Sequence, residues 1–132
     1  MQSLLTMDQV LVHIFGDYFL QSDWMATNKK DKIFPALVHA ITYVLPFLLL
    51  TRSVLALLVI SGTHFVIDHW GLARYLAWLK NFLGPKSARR PWKECDLTGF
   101  SPDRPIWLTV WLTIIMDNTL HLLINALSLR YL

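Results

Sequence analysis

Residues 54–70 of the chain read VLALLVISGTHFVIDHW. This segment has the length of a membrane-spanning helix, yet it carries the polar pair His64 and Asp68. Residues four apart lie on the same face of a helix. A charge near the centre of a bilayer costs at least ~2.5 kcal/mol on the insertion scale, so an aspartate there needs a compensating partner. The segment therefore predicts a membrane helix whose polar face is turned toward other helices.

The composition of the whole chain agrees with a membrane protein. Of its 132 residues, 55% are hydrophobic and 16% are charged, and the mean hydropathy is +0.43. A chain of this length has too little volume for its surface to bury so much apolar side chain in water. One cysteine, Cys95, excludes a disulfide scaffold, and the abundance of large apolar residues excludes disorder. We expect one transmembrane domain over residues 1–132.

Three further apolar stretches occur in the chain, two before residues 54–70 and one after them. Together the four stretches predict an all-α, four-helix membrane bundle with up-down-up-down topology. The expected spans are about 4–20, 33–50, 54–70 and 105–129. Residues 84–104, rich in proline and basic side chains, are expected to form a loop between the third and fourth helices. A leucine repeat over residues 72–83 leaves two alternatives open. The third helix either bends at Gly71 into an interfacial amphipathic helix or continues straight.

The basic residues predict the orientation. Ten of the twelve lysines and arginines fall on the side of the first and third loops. The positive-inside bias puts those loops in the cytoplasm and both termini outside. A pI of about 9.2 favours anionic lipid head groups on the cytoplasmic side as partners, and we expect no nucleic acid. A homo-oligomer is left open.

The other predicted spans carry similar polar pairs. The first has His13 and Asp17, the second has His39 and Tyr43, and the fourth has the reversed order, Asp117 and His121. Because the fourth helix runs antiparallel to the first and third, this reversal brings three histidines to one level and three aspartates to another about 6 Å away. Counted along regular helices from the nearest basic residues, Lys29 among them, the carboxylates lie ~18 Å deeper in the membrane than those basic residues. The same count places His39 nearer the cytoplasm than the aspartates.

Imidazole and carboxylate groups that converge in a helical bundle form a mixed site suited to one or two Zn, Mn or Fe ions. The predicted metal ligands are His13, Asp17, His64, Asp68, Asp117 and His121. Tyr43 or His39 would be a catalytic acid or hydrogen-bond donor. The predicted substrate residues are Gln21, Asp23, Trp24, Lys29, Lys30, Arg89 and Arg90. Two other interpretations stay open, namely polar contacts that only join helices and a path for protons or ions.

The order and spacing of these motifs, HIFGDYFLQSDW from His13, His39, THFVIDH from Thr63 and DNTLH from Asp117, resemble the bacterial and phage family known as domain of unknown function 3307. The resemblance implies a small integral membrane protein of the bacterial inner membrane with no assigned reaction. The segment from Thr63 to Asp68 is more loosely similar to the Ser-His-x3-Asp segment of membrane-bound metal-dependent hydrolases. The chain lacks that group's His-Arg-Gly-x-Thr-His segment.

The leading functional hypothesis is a membrane-embedded metal-binding protein that hydrolyses a phosphate or ester of a lipid-like substrate at the cytoplasmic interface. An ion or metal transporter is one alternative. A membrane adaptor, in which the polar residues serve only as contacts between helices, is the other.

Overall fold

The structure, a computed structural model, describes residues 3–132, and its regular elements are all helical. Because no strand occurs in this range, the all-α prediction is confirmed. The α-helices are α1 (Met7–Ile14), α2 (Asp23–Asn28), α3 (Ile33–Val44), α4 (Val54–Trp70), α5 (Leu72–Lys80), α6 (Trp92–Cys95) and α7 (Ile106–Tyr131). Shorter helical segments are the π-helical turn Phe15–Phe19 and the 3₁₀ segments Leu45–Leu49, Asn81–Leu83 and Lys86–Ala88.

The chain packs as two compact units. The first comprises Met1–Trp70 and His121–Leu132, and the second comprises Gly71–Leu120. The long helix α7 contributes its later part to the first unit and its earlier part to the second. The candidate site described below lies within the first unit.

The amino-terminal segment does not form one straight helix. A reciprocal capping box between Thr6 and Gln9 starts α1. After α1 the backbone widens into the π-helical turn, and the side chain of Ser22 then accepts from Met25 N and starts α2. The break between Phe19 and Ser22 separates the predicted first span from the residues that follow it.

Small residues let α3 and α4 approach closely. Ala36 and Ala40 of α3 and Ala56 of α4 are all almost fully buried. Small side chains at helix contacts are typical of membrane bundles, because they let two backbones pack against each other. The hydroxyl of Ser61 on α4 also donates to Ala40 O at 3.1 Å. This packing holds the polar faces of α3 and α4 opposite each other.

Polar residues line the inside of the first unit, and many apolar residues lie outside. The buried polar side chains of this unit are His13, Asp17, His39, His64, Asp68, His121, Asn125 and Ser128. Large apolar side chains such as Phe19, Leu49 and Leu58 are 76%, 84% and 65% exposed.

Within the described residues, only α7 is by itself long and apolar enough to cross a membrane. The helix α4 passes the same test only together with residues 72–83, as a bent pair. The bend lies at Gly71, whose φ of 59° is in the left-handed region that favours glycine. The sequence had left a bend and a straight continuation open, and the structure has the bend.

Candidate metal centre

Four buried side chains of the first unit converge on one point. Asp17 comes from the π-helical turn, His39 comes from α3, and His64 and Asp68 come from one face of α4. Each is at most 6% exposed. Together they can offer four ligand atoms within 4.8 Å of one another.

Five of the six separations among these atoms are close to those of a tetrahedron. His39 Nε2 lies 3.2 Å from Asp17 Oδ1, 3.2 Å from Asp68 Oδ2 and 3.0 Å from His64 Nε2. His64 Nε2 lies 3.3 Å from the same Asp68 oxygen and 3.7 Å from the same Asp17 oxygen. Ligands about 2.0–2.1 Å from a tetrahedral zinc ion lie about 3.3–3.4 Å from one another, by the geometry of a regular tetrahedron. The five observed separations scatter around that value.

Gly16 allows the turn that carries Asp17 to approach α3. A Cβ atom at Gly16 would lie 2.5 Å from Tyr43 O and 3.2 Å from Tyr43 Cα, closer than a side chain can come to backbone. The glycine therefore permits the short distance between the π-helical turn and α3. Single π-helical turns within helices are often found at functional sites.

The outer atoms of Asp68 and His64 are both held by His121 of α7. His121 Nε2 lies 3.2 Å from Asp68 Oδ1, and His121 Nδ1 lies 3.3 Å from His64 Nδ1. Among neutral rings, only one direction of donation suits the carboxylate: His64 Nδ1–H donates to His121 Nδ1, and His121 Nε2–H donates to Asp68 Oδ1. This order removes the proton from His64 Nε2 and turns its lone pair toward the convergence point. Histidines that bind metals are commonly oriented by such an outer partner.

Tyr43 orients the other side of the cluster. Asn125 Nδ2 donates to the Tyr43 hydroxyl at 2.6 Å, so the hydroxyl proton is available for His13 Nδ1 at 2.9 Å. The opposite nitrogen of His13 then faces Asp17 Oδ2 at 4.0 Å. The Tyr43 ring stacks on His64 with centroids 3.6 Å apart. Tyr43 and His13 thus support the convergent side chains from outside.

His39 has no such outer partner. Its Nδ1 atom is buried and makes no hydrogen bond within residues 3–132. Its Nε2 atom faces two carboxylate oxygens and a second imidazole, and one ring proton can serve only one of them. A cation at the convergence point would satisfy all of these lone pairs together.

Lys29 partly offsets the charge of the cluster. The two carboxylates carry two negative charges, and Lys29 Nζ donates to Asp68 Oδ2 at 2.6 Å. The Lys29 side chain is 14% exposed, so it joins the cluster to the surface. His69 Nδ1 donates to Lys29 O at 2.7 Å and so fixes the backbone there. A divalent cation would offset both carboxylates without help from the lysine.

The structure corrects the predicted depths of two residues. Lys29 was expected about 18 Å from the aspartates, and instead it contacts Asp68. His39 was expected nearer the cytoplasm than the aspartate level, and instead it contacts Asp17 and Asp68. Both expectations depended on aspartate depths counted along regular helices from Lys29 and Lys80, and the breaks before α2 and at Gly71 invalidate those counts. The sequence carried a signal for the break before α2, because Ser22 is a strong helix N-cap residue.

The structure brings most of the predicted site residues of the first unit together. His13, Asp17, His64, Asp68 and His121 join the predicted donors His39 and Tyr43 in one buried network. His39 takes a candidate ligand position, whereas His13 and His121 contact the carboxylates from outside. Asp117 is half-buried one helical turn before His121 and belongs to the second unit. Its role as a ligand stays a prediction.

The predicted substrate residues are dispersed. Asp23, Trp24 and Lys30 are exposed around α2, and Gln21 Oε1 is buried without a hydrogen-bond partner within residues 3–132. Arg89 and Arg90 belong to the second unit. The guanidinium of Arg89 donates to Phe82 O and Gly84 O, and that of Arg90 pairs with Asp103 at 3.2 Å. The side chain of Arg89 therefore stabilises a loop.

A family model described as protein of unknown function (DUF3307) matches residues 5–90, which is more than half of the chain. This range includes all four convergent residues, whereas His121 and Asn125 follow it. No curated protein and no solved structure matches the chain.

Proposed function

The chain belongs to the family described as protein of unknown function (DUF3307), and we propose that it is a membrane-embedded protein that binds one divalent metal ion, preferentially Zn²⁺, between Asp17, His39, His64 and Asp68. The observation that carries this proposal is the near-tetrahedral spacing of one atom from each of these side chains. Two nitrogen and two oxygen ligands suit zinc, which is commonly four-coordinate and tetrahedral in proteins.

Two observations support the membrane placement. The helix Ile106–Tyr131 has the length and composition of a membrane span, and few residues of its most apolar part are buried. The first unit buries polar side chains and exposes apolar ones. We extend this to the predicted four-helix bundle, in which α1 with the π-helical turn, α3 with Leu45–Leu49, and α4 accompany α7 in the bacterial inner membrane. Residues 84–104 would face the cytoplasm.

The metal proposal is tested by elemental analysis of detergent-purified full-length protein. Wild-type protein is expected to hold about one zinc per chain, and X-ray absorption is expected to show four nitrogen or oxygen ligands at about 2.0–2.1 Å. The variants D17N and H64Q should lose the metal. D23N, which changes an exposed aspartate outside the cluster, is the matched control. Metal-free wild-type protein that also fails to take up added zinc would show that the cluster only joins helices.

For the chemistry at this site, we propose hydrolysis of a phosphate or ester bond in a lipid-like substrate. To act on a substrate, a divalent ion held by the four side chains would have to accept a fifth ligand; in that position it would polarise a substrate oxygen or lower the pKa of a water molecule. Lys29 would contact the negative charge of the substrate, because it is the cation that reaches the cluster from the surface. The ordered His121 and Tyr43 contacts would keep His64 and Asp17 in position.

An apolar layer favours a one-sided site over a transport path. Tyr43 packs with Phe47, Ile60 and Val12 in a buried hydrophobic cluster. Phe47 and Ile60 are fully buried, and Val44, Leu57 and Leu129 cover them. The sequence places this layer toward the predicted external ends of the helices, whereas Lys29 reaches the cluster from the opposite direction. A metal transporter needs polar groups that continue to both faces.

Hydrolysis and transport are separated by two measurements on the same protein. Zinc-loaded protein in mixed micelles of bacterial polar lipids is expected to release a water-soluble product that mass spectrometry detects. Proteoliposomes with an entrapped zinc indicator are expected to show no flux. K29M should retain zinc and lose most of the hydrolysis, whereas K32M, which changes a nearby exposed lysine outside the predicted site, should retain both. Zinc flux into the proteoliposomes that D68N abolishes would reject hydrolysis in favour of transport. Lipids that show no product by mass spectrometry would reject hydrolysis of these substrates.

A further inference from the structure

The second unit contains a cavity lined by basic side chains that takes no part in the metal centre. Its volume is about 230 Å³, and its lining includes Lys80, Asn81, Arg90, Ser101 and Arg104. None of the residues that line it is acidic. Cavities for drug-sized ligands are larger, typically about 300–1,000 Å³, so this one suits a small polar group.

The cavity walls are held by hydrogen bonds independent of the basic groups. Asn81 Nδ2 donates to Gly99 O at 3.0 Å, and Trp78 Nε1 donates to Arg90 O at 3.0 Å. Gly99 has a left-handed φ of 82° and packs directly against Arg74 O, where a Cβ atom would not fit. The cavity is therefore a defined feature of this unit.

The residues that line the cavity carry only positive charge, which favours an anion. Arg90 is paired with Asp103, whereas neither Lys80 nor Arg104 lies within ion-pair distance of an acidic group in the part of the chain that the structure describes. Lys80 Nζ lies 5.0 Å from the centroid of the Phe100 ring, which holds it at the cavity. Cys95 lines the same cavity as a neutral thiol, because burial raises its pKa.

Apolar side chains beside the cavity indicate where the anion comes from. Leu79 and Leu83, on the segment that leads into the cavity, are 53% and 92% exposed. Arg104 lies two residues before the membrane-span candidate that begins at Ile106. Basic residues at the end of a span lie at the level of the lipid head groups, and exposed leucines can enter the adjacent acyl region. The cationic cavity and the apolar side chains thus fit the two parts of one phospholipid.

We propose that this cavity is a binding site for the head-group phosphate of an anionic phospholipid, with Lys80 and Arg104 as the main contacts and the exposed leucines against the acyl chains. The site goes beyond the metal-binding function and shares no residue with the metal centre. Charge-assisted hydrogen bonds from lysine and arginine to phosphate are the strong contacts of such a site.

The test uses full-length protein in a zwitterionic detergent at physiological salt, where diffuse charge attraction is screened. Native mass spectrometry measures binding of a phosphatidylglycerol, with phosphatidylcholine as the zwitterionic comparison. The double variant K80Q/R104Q is expected to lower phosphatidylglycerol affinity about tenfold or more. The control K86Q/K93Q removes the same charge from exposed lysines that do not line the cavity, and should lower it less than about twofold.

Equal losses of phosphatidylglycerol affinity in the two double variants, or an unchanged affinity in K80Q/R104Q, would overturn the proposal. Displacement of the lipid by millimolar inorganic phosphate would also overturn it, because the site would then be one for free phosphate. Circular dichroism checks that each variant is folded. Zinc content is expected to stay at the wild-type level in both, so failure of this site is distinguishable from failure of the metal centre.

Discussion

Asp68→Asn removes one negative charge from the metal centre with almost no change of shape. In the wild-type protein Asp68 Oδ2 lies 3.3 Å from His64 Nε2 and receives the Lys29 ammonium at 2.6 Å. Its other oxygen lies 3.2 Å from His121 Nε2. An asparagine there keeps one oxygen but is neutral, so it is a much weaker ligand for a divalent ion. The variant therefore tests whether these contacts serve a metal.

The expected loss can be expressed as stability. Removing a residue that only orients a ligand typically weakens metal affinity about 10–100-fold, so loss of a ligand charge should cost at least about 100-fold. At free zinc of about 100 times the wild-type Kd, zinc stabilises the wild-type protein by about 2.7 kcal/mol. A variant with a Kd raised 100-fold gains only about 0.4 kcal/mol. At roughly 3–5 °C per kcal/mol, zinc raises the wild-type Tm by about 10 °C and the variant's by about 2 °C.

The assay is thermal unfolding in detergent with and without zinc, after removal of metal by a chelator. D23N, an exposed aspartate on α2, should respond to zinc like the wild-type protein. If zinc raises the Tm of D68N as much as that of wild type, Asp68 is not a ligand. If zinc leaves the wild-type Tm unchanged while D68N alone lowers it, the cluster is a set of contacts between helices.

Two further variants test the support of the site. G16A should destabilise the protein by about 1–3 kcal/mol, because its methyl group meets the Tyr43 backbone. The control G62A, whose new Cβ meets no neighbouring atom within 4 Å, should be neutral or stabilising by up to about 1 kcal/mol. Equal Tm values for the two would refute the close approach. H121Q should weaken zinc binding about 10–100-fold in a competitive chelator titration, which is less than the loss expected for D68N. Unchanged zinc affinity would show that His121 does not orient the ligands.

Helical spacing identified most members of the buried network from the sequence. The pair His64 and Asp68 lies on one face of α4 as expected. The reversed order on the last helix predicted one level for His121 and His64, and in the structure the two rings are in contact. These relations hold because residues four apart share a helix face whatever surrounds the helix. They are local rules, and α4 and α7 are regular over the residues concerned.

The positions of His39 and Lys29 could not be predicted in the same way. Both depend on where the chain turns between α1 and α3, and regular helical rise says nothing about a turn. The π-helical segment and the new start at Ser22 redirect the chain and bring Lys29 to Asp68. Depth counted along the sequence is reliable only within one unbroken helix.

The first unit is built from two stretches of the chain that the second unit separates, so its parts are synthesised at different times. Asp17, His39, His64 and Asp68 all precede Gly71, whereas His121 and Asn125 follow the entire second unit. During synthesis the four candidate ligands therefore leave the ribosome, together with His13 and Tyr43, well before His121 and Asn125. A metal ion captured by the nascent helices would be held loosely at first. Arrival of the later part of α7 would then tighten the site about 10–100-fold, so the protein would select its metal in two successive stages of its own assembly.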